Sequence, residues 1–184
     1  MPLTKLNATQ GLTGTLPAVS GANLTNIDGG KILQVVSSNM SYEKSNTSTS
    51  YTDVESSSGT SWITSITPSA TTSKILIIAM LGSNNYQGSS EGDQRGHIKL
   101  LGDINGAGYN DLSNTHKTGG YSYGGGSYGV SIGDTTTFSY LWSPSTTSQC
   151  NVKFQFHPVG NNGVMNIIGT ASQVNTCQLF EVGA

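Results

Sequence analysis

Residues 73–83 read SKILIIAMLGS, and this stretch decides the fold. An unbroken apolar run from Ile75 to Leu81 is far too short to cross a bilayer, and it lacks the three-and-four spacing of an amphipathic helix. It reads as a β-strand buried on both faces, or with one face in a core and the other against a partner chain. The preceding ITPSATTS, residues 66–73, supplies the boundary. Pro68 cannot donate to a strand ladder, and the Ser/Thr cluster forms the turn.

Working outward, period-two patterning continues from Lys31 to the end of the chain, and no dozen residues carry a helical stripe. Strands are expected at 32–37, 49–55, 61–67, 96–101, 136–142, 151–157, 164–169 and 175–182. With 73–83 they have the number and short spacing of a jelly roll. Alternation in FSYLW and VKFQF places Phe138, Tyr140 and Trp142 on one strand face and Val152, Phe154 and Phe156 on another. Those two aromatic faces are the expected core. The expected fold is all-β: a jelly-roll-like antiparallel β-sandwich over residues 31–184, preceded by an extended arm, residues 1–30.

The composition supports this. At 184 residues the chain holds one domain with an appendage. Only 10% of it is charged, against roughly 25% in an average soluble protein. Ser, Thr, Asn and Gly take the remainder, a balance common in extracellular and virion β-proteins. Eight Tyr and many β-branched residues separate it from disordered chains. A net charge of −2, with eight scattered Lys and Arg, gives no footprint for nucleic acid. No basic amphipathic stretch suits a membrane surface, and MPLTKLNATQG has no secretory apolar region. The protein is therefore expected to be used without signal-dependent export and to insert in no membrane.

Cys150 and Cys177 sit at strand ends and could pair if their strands are neighbours. A chain made in a reducing cytosol favours buried free thiols. Four N-x-[ST] matches, at Asn7, Asn23, Asn39 and Asn46, follow from the abundance of Asn, Ser and Thr. Residues 102–133, dense in Gly, Tyr, Asn and Ser, read as a long loop or a pair of irregular hairpins.

Residues 1–30 are too polar to close on themselves. Fully extended they reach on the order of 100 Å, while a globule of the remaining size has a radius of gyration near ~15 Å. Leu12, Leu16, Pro17, Val19, Leu24 and Ile27 are spaced to dock one at a time on neighbouring subunits, so the arm reads as an anchor.

The segment LTGTLPAVSGANLTNIDGGKILQVV, residues 12–36, resembles the G-T-L-P linker segments of bacteriophage fiber proteins, in particular small fiber-like proteins of marine phages. In that group a KILQVV strand, a Ser/Thr-rich stretch, an ITPSxTxSKILI hairpin and a terminal strand near EVGA follow in this order. The match covers residues 11–37, 64–80 and 178–184, and the Gly/Tyr-rich middle lies outside it. The resemblance implies a virion structural or capsid-decoration protein with a C-terminal jelly-roll-like domain, commonly trimeric, and no enzyme.

Residue by residue, the chemistry agrees. His97, His116 and His157 have no metal-ligand spacing. GDINGAG, residues 102–108, has the oxygens of Asp103 and Asn105 but no bidentate acid closing a calcium loop, so it reads as a turn. GGGSYG lacks the Lys and the helix of a phosphate loop. Glu91, Asp93, Asp103 and Asp111 fall in loop-like sequence and read as solvated rather than as a hydrolytic pair. No nucleophile elbow is present. Neither a cofactor nor a metal is expected, and catalysis is not. Tyr121, Tyr123 and Tyr128 in GGYSYGGGSYG suit sugar stacking or adaptable protein contact; the plain alternative is packing against the sandwich or a trimer mate.

Three functions of different class follow. The first is a homotrimeric virion protein, assembled in the host cytoplasm and attached through its arm to capsid or tail proteins. The second is a receptor- or carbohydrate-binding adhesin contacting a host glycan. A depolymerase is least favoured.

Overall fold

The computed structural model describes residues 31–87, 91–112, 116–123, 130–159, 163–170 and 173–183, with the backbone alone for strand residues within 86–94 and 116–132. Among them are fourteen strands: β1 (Ile32–Met40), β2 (Lys44–Asn46), β3 (Thr52–Asp53), β4 (Glu55–Ser57), β5 (Thr60–Ser61), β6 (Ile63–Ile66), β7 (Lys74–Gln87), β8 (Glu91–Ile104), β9 (Asn110–Asp111), β10 (His116–Tyr123), β11 (Val130–Trp142), β12 (Cys150–Pro158), β13 (Gly163–Ile167) and β14 (Asn175–Val182). The described residues contain no helix. The expected arm, residues 1–30, lies outside them.

Every strand pairing is antiparallel. One sheet runs β1-β14-β7-β11, with β13 and then β2 extending it beyond the end of β14; the other runs β10-β8-β12-β6, with β3 and β9 alongside. Numbering the eight long-range strands β1, β6, β7, β8, β10, β11, β12 and β14 in chain order, the sheets read 1-8-3-6 and 5-4-7-2. That order is a jelly roll. Its pairs nest, β8 with β10, β7 with β11, β6 with β12 and β1 with β14, like one long hairpin rolled into two layers.

The core lies between the sheets. Ile75, Ile77, Ala79 and Leu81 of β7 point inward and are fully buried, as are Ile98 and Leu100 of β8 and Val152, Phe154 and Phe156 of β12. Phe138 of β11 meets Phe154 across the interior at 5.3 Å between ring centroids, and Trp62 approaches the same ring at 5.6 Å. The two aromatic faces read from FSYLW and VKFQF therefore form the core. At Gly96 of β8 the layers come together: a Cβ there would stand 2.2 Å from Met165 Sδ and 2.6 Å from Asn85 Oδ1.

At Gly82 strand β7 exchanges one neighbour, β14, for another, β13. The buried Asn175 side chain bridges the break, accepting from Gly82 N at 2.7 Å and donating to Ile168 O at 2.8 Å. Backbone groups that would otherwise be orphaned in the interior are satisfied there.

Two expectations are corrected. Residues 102–133 were expected to be loop or irregular hairpins, yet β10 pairs residue for residue with β8 from His116 to Tyr123, and β11 begins at Val130. Glycine weakens an isolated strand, but a long partner in register supplies the hydrogen bonds that hold it. Second, Glu91, Asp93 and Asp103 lie on β8 and Asp111 on β9, not in loops. Cys150 and Cys177 are buried, free and in different sheets, and burial pushes both thiols up to about 11.

Phe154 fills the middle of the interior, so Phe154→Ala is expected to cost about 3–5 kcal/mol of stability. Urea denaturation followed by Trp fluorescence measures it; a loss below ~1 kcal/mol would place the core elsewhere.

Candidate functional site

Alternation gives each sheet an outer face, and the two faces differ in chemistry. On the β10-β8-β12-β6 sheet, Asn151, Lys153, Gln155 and His157 of β12 stand opposite Asp103, Leu101, Lys99 and His97 of β8. Asp53 collects three donors: Lys153 Nζ at 2.8 Å, Gln155 Nε2 at 2.7 Å and Ser61 Oγ at 2.5 Å. Desolvation alone would raise the Asp53 carboxyl, but those donors outweigh it and hold the group below its ordinary value. Lys153 also stands 4.2 Å from the Tyr109 ring centroid, and Lys99 4.1 Å from that of Tyr51.

Tyr51 in turn meets the His157 ring edge-on at 4.3 Å. His157 and His97, sixty residues apart, are directly cross-strand, with Nε2 and Nδ1 separated by 3.2 Å. His157 Nδ1 lies 2.7 Å from Pro158 O. Since that carbonyl only accepts, Nδ1 carries a proton, and in neutral His157 Nε2 accepts from His97. No spacing along the chain marks this pair, because strand register alone creates it. His116 lies on β10 opposite Ile98. Among the described residues no three His, Cys, Asp or Glu gather as a metal site.

The GDINGAG stretch is a turn. Asn105, Gly106 and Gly108 have φ of 54°, 78° and 113°. Asp103 accepts from Asn151 Nδ2 at 3.0 Å, Gly106 N at 2.9 Å and Gly108 N at 2.7 Å, and these hydrogen bonds hold its carboxyl below the ordinary value. Both carboxylate oxygens are thus committed to closing the turn.

Tyr121 and Tyr123 lie on β10, opposite Asp93 and Glu91 in register. Tyr128 falls outside the described residues, as do Leu12, Leu16, Pro17, Val19, Leu24 and Ile27. An open depression of about 460 Å³ has Ser83, Gly133, Asp134, Thr135, Ile168 and Gln173 as its lining among the described residues, and none of these is aromatic.

The outer face of the β1-β14-β7-β11 sheet is of another kind. Val35, Phe180, Leu76 and Leu141 form one row across its four strands. Below it run Ser37-Gln178-Ile78-Ser139 and Asn39-Thr176-Met80-Thr137. None of these twelve side chains is charged. Val35, Met80 and Leu141 are each about half exposed, at 53%, 49% and 49%. The run Ile75–Leu81 is therefore buried on its inner face only.

At the end of this sheet the segments KILQVV, ITPSATTSKILI and EVGA meet. Gly183 N donates to Lys31 O at 2.8 Å. The buried Glu181 carboxylate accepts from Ser69 N and Ser69 Oγ, both at 2.6 Å. Desolvation works to raise Glu181, and the Ser69 donors overcome it, leaving the carboxyl below its ordinary value.

No protein-family model matches the chain, and no curated protein matches it. Among solved structures it is similar to a chain in the structure of the infectious bursal disease virus Gx strain, at 12% identity and a TM-score of 0.31, over 90% of this chain and 42% of that one. A chain of the T13 IBDV viral particle shares 10% identity at a TM-score of 0.35, over 91% of this chain and 41% of that one. A chain of the Gt strain shares 10% at 0.30, over 91% and 42%. This chain thus spans about two fifths of the length of those chains. The jelly-roll assignment stands on strand order.

Asp53 and Glu181 have lowered folded values against ordinary values of 3.8 and 4.5. Their contribution is complete above those ordinary values and is lost as pH falls through the lowered folded ones. Urea midpoints should hold from neutrality to about pH 5 and decline below ~4.5. Glu181→Gln should be less stable at pH 7, with a shallower acid decline; an identical decline would remove Glu181 from this account.

Proposed function

We propose that this chain is a virion structural protein of a tailed bacteriophage, a trimeric fiber or capsid-decoration protein. Its jelly-roll domain, residues 31–184, stands on the particle through residues 1–30, with Leu12, Leu16, Pro17, Val19, Leu24 and Ile27 docking on capsid or tail proteins. One observation carries this reading. The three segments that resemble phage fiber-like proteins, far apart in the chain, are neighbours in the fold: β1, β14 and β7 lie side by side. Lys31 is bonded to Gly183 and Ser69 to Glu181. The adjacency of the described parts of those segments supports reading them as one physical unit.

On this reading the protein is not an enzyme, and its place is the virion. Ordering thirty backbones costs roughly 30–60 kcal/mol, which scattered aliphatic side chains cannot offset on a lone domain. The surfaces that order the arm must then belong to the particle. Deleting residues 1–30 should leave a soluble domain with its melting temperature unchanged and no attachment to virions. Leu16→Asp should weaken attachment in the full chain. A deletion that lowers the melting temperature would show that the segment belongs to the domain. Copy number on purified particles separates a capsid decoration, present in many copies, from a fiber, present in few.

A receptor- or carbohydrate-binding adhesin is the second reading, favoured by Tyr121 and Tyr123 on β10, the terminal strand of its sheet. Replacing Tyr121, Tyr123 and Tyr128 together by Ala should weaken host adhesion with the melting temperature unchanged. Loss of trimerisation instead would assign these rings to packing.

A further inference from the structure

We infer that the outer face of the β1-β14-β7-β11 sheet is where copies of this chain associate, an inference that rests on the oligomeric reading above and names its surface. The contrast between the two outer faces is the first argument. The β8-β12 face carries two polar clusters, Asp53 with Lys153 and Gln155, and Lys99 with Tyr51, His157 and His97. It is built to face water. The opposite face carries no charge over three rows of four strands, and its apolar row of Val35, Phe180, Leu76 and Leu141 is left partly open. Charge depletion around aliphatic and aromatic side chains marks the centre of a protein–protein contact.

The second argument selects the occupant. Around Ile78 and Met80 the face presents Ser, Thr, Asn and Gln, which both donate and accept hydrogen bonds and so can pair with a second copy of the same surface. Copies that turn this uncharged face toward a shared symmetry axis, two-fold or three-fold, meet without like-charge repulsion. Within these three rows the face has no charge with which to select a foreign partner of opposite sign; the nearest, the exposed Lys74, stands one row beyond Leu76, opposite Val182.

Continuity is the third. With strands ~4.8 Å apart and same-face residues ~6.8 Å apart, the face spans on the order of 400 Å², short of the roughly 800 Å² per partner that a standard interface uses. The surface continues at the start of β1, where Ile32 is 62% and Leu33 45% exposed. Among the described residues β1 pairs with β14 alone and is the last strand on that side of the sheet.

The test is the mass in solution, by light scattering at micromolar concentration, of the full chain and of Leu141→Lys and Ile78→Lys. Both side chains point away from the core, so near-UV circular dichroism should be unchanged. Association should weaken by at least about 30-fold, the mark of a central interface residue. Lys99→Glu on the other face is expected to leave the oligomer intact. An oligomer that survives both aliphatic substitutions overturns this surface while leaving the oligomeric reading standing. A monomeric wild-type chain overturns both. An intact chain that is monomeric but associates once residues 1–30 are removed shows that its own N-terminal segment covers the face, and also overturns the assignment.

Discussion

The fold hangs on β7. This strand is hydrogen-bonded along its whole length to β11 on one side, and to β14 and then β13 on the other. Its inner residues, Ile75, Ile77, Ala79 and Leu81, are fully buried. Because antiparallel pairing fixes which residues face inward, the register of β7 decides the register of its neighbours. A slip by one residue would turn Phe138, Leu179 and Cys177 out to water. The nested order of the jelly roll multiplies this constraint, since each outer pair closes only around an inner pair already in place.

The same constraint creates the two faces that matter for function. Once alternate residues are committed to the core, the others of each strand share a surface whatever their distance in the chain. On β8 and β12 this gathers two polar clusters, one around Asp53 and one around the His97–His157 pair. On β1, β14, β7 and β11 it gathers an uncharged face with a partly open apolar row. The first is self-sufficient, its hydrogen bonds made within the subunit. The second leaves apolar surface in water, a cost that association through it removes.

Buried polar groups follow the economy of the fold. Glu181 and Asn175 sit where the backbone breaks regular pairing, one at the turn before β7 and the other at the switch from β14 to β13. Each satisfies main-chain groups that no ladder reaches. Glu181 and Ser69, 112 residues apart in the chain, are the two ends of one hydrogen bond.

The sequence by itself determined the fold class, the strand positions from 136 onward, the aromatic core faces and the turn at Asp103, because period-two alternation and turn chemistry are local. It also marked Ile75 to Leu81 as the key strand. The tertiary structure alone decided that Glu91 and Asp93 lie in a regular strand, that the Gly-rich stretch beside them pairs in register, and that His97 meets His157. It also decided which half of the apolar run is buried and which lies open beside Val35, Phe180 and Leu141. Pairing partners and sheet order arise from contacts between residues tens of positions apart, and no local pattern records them.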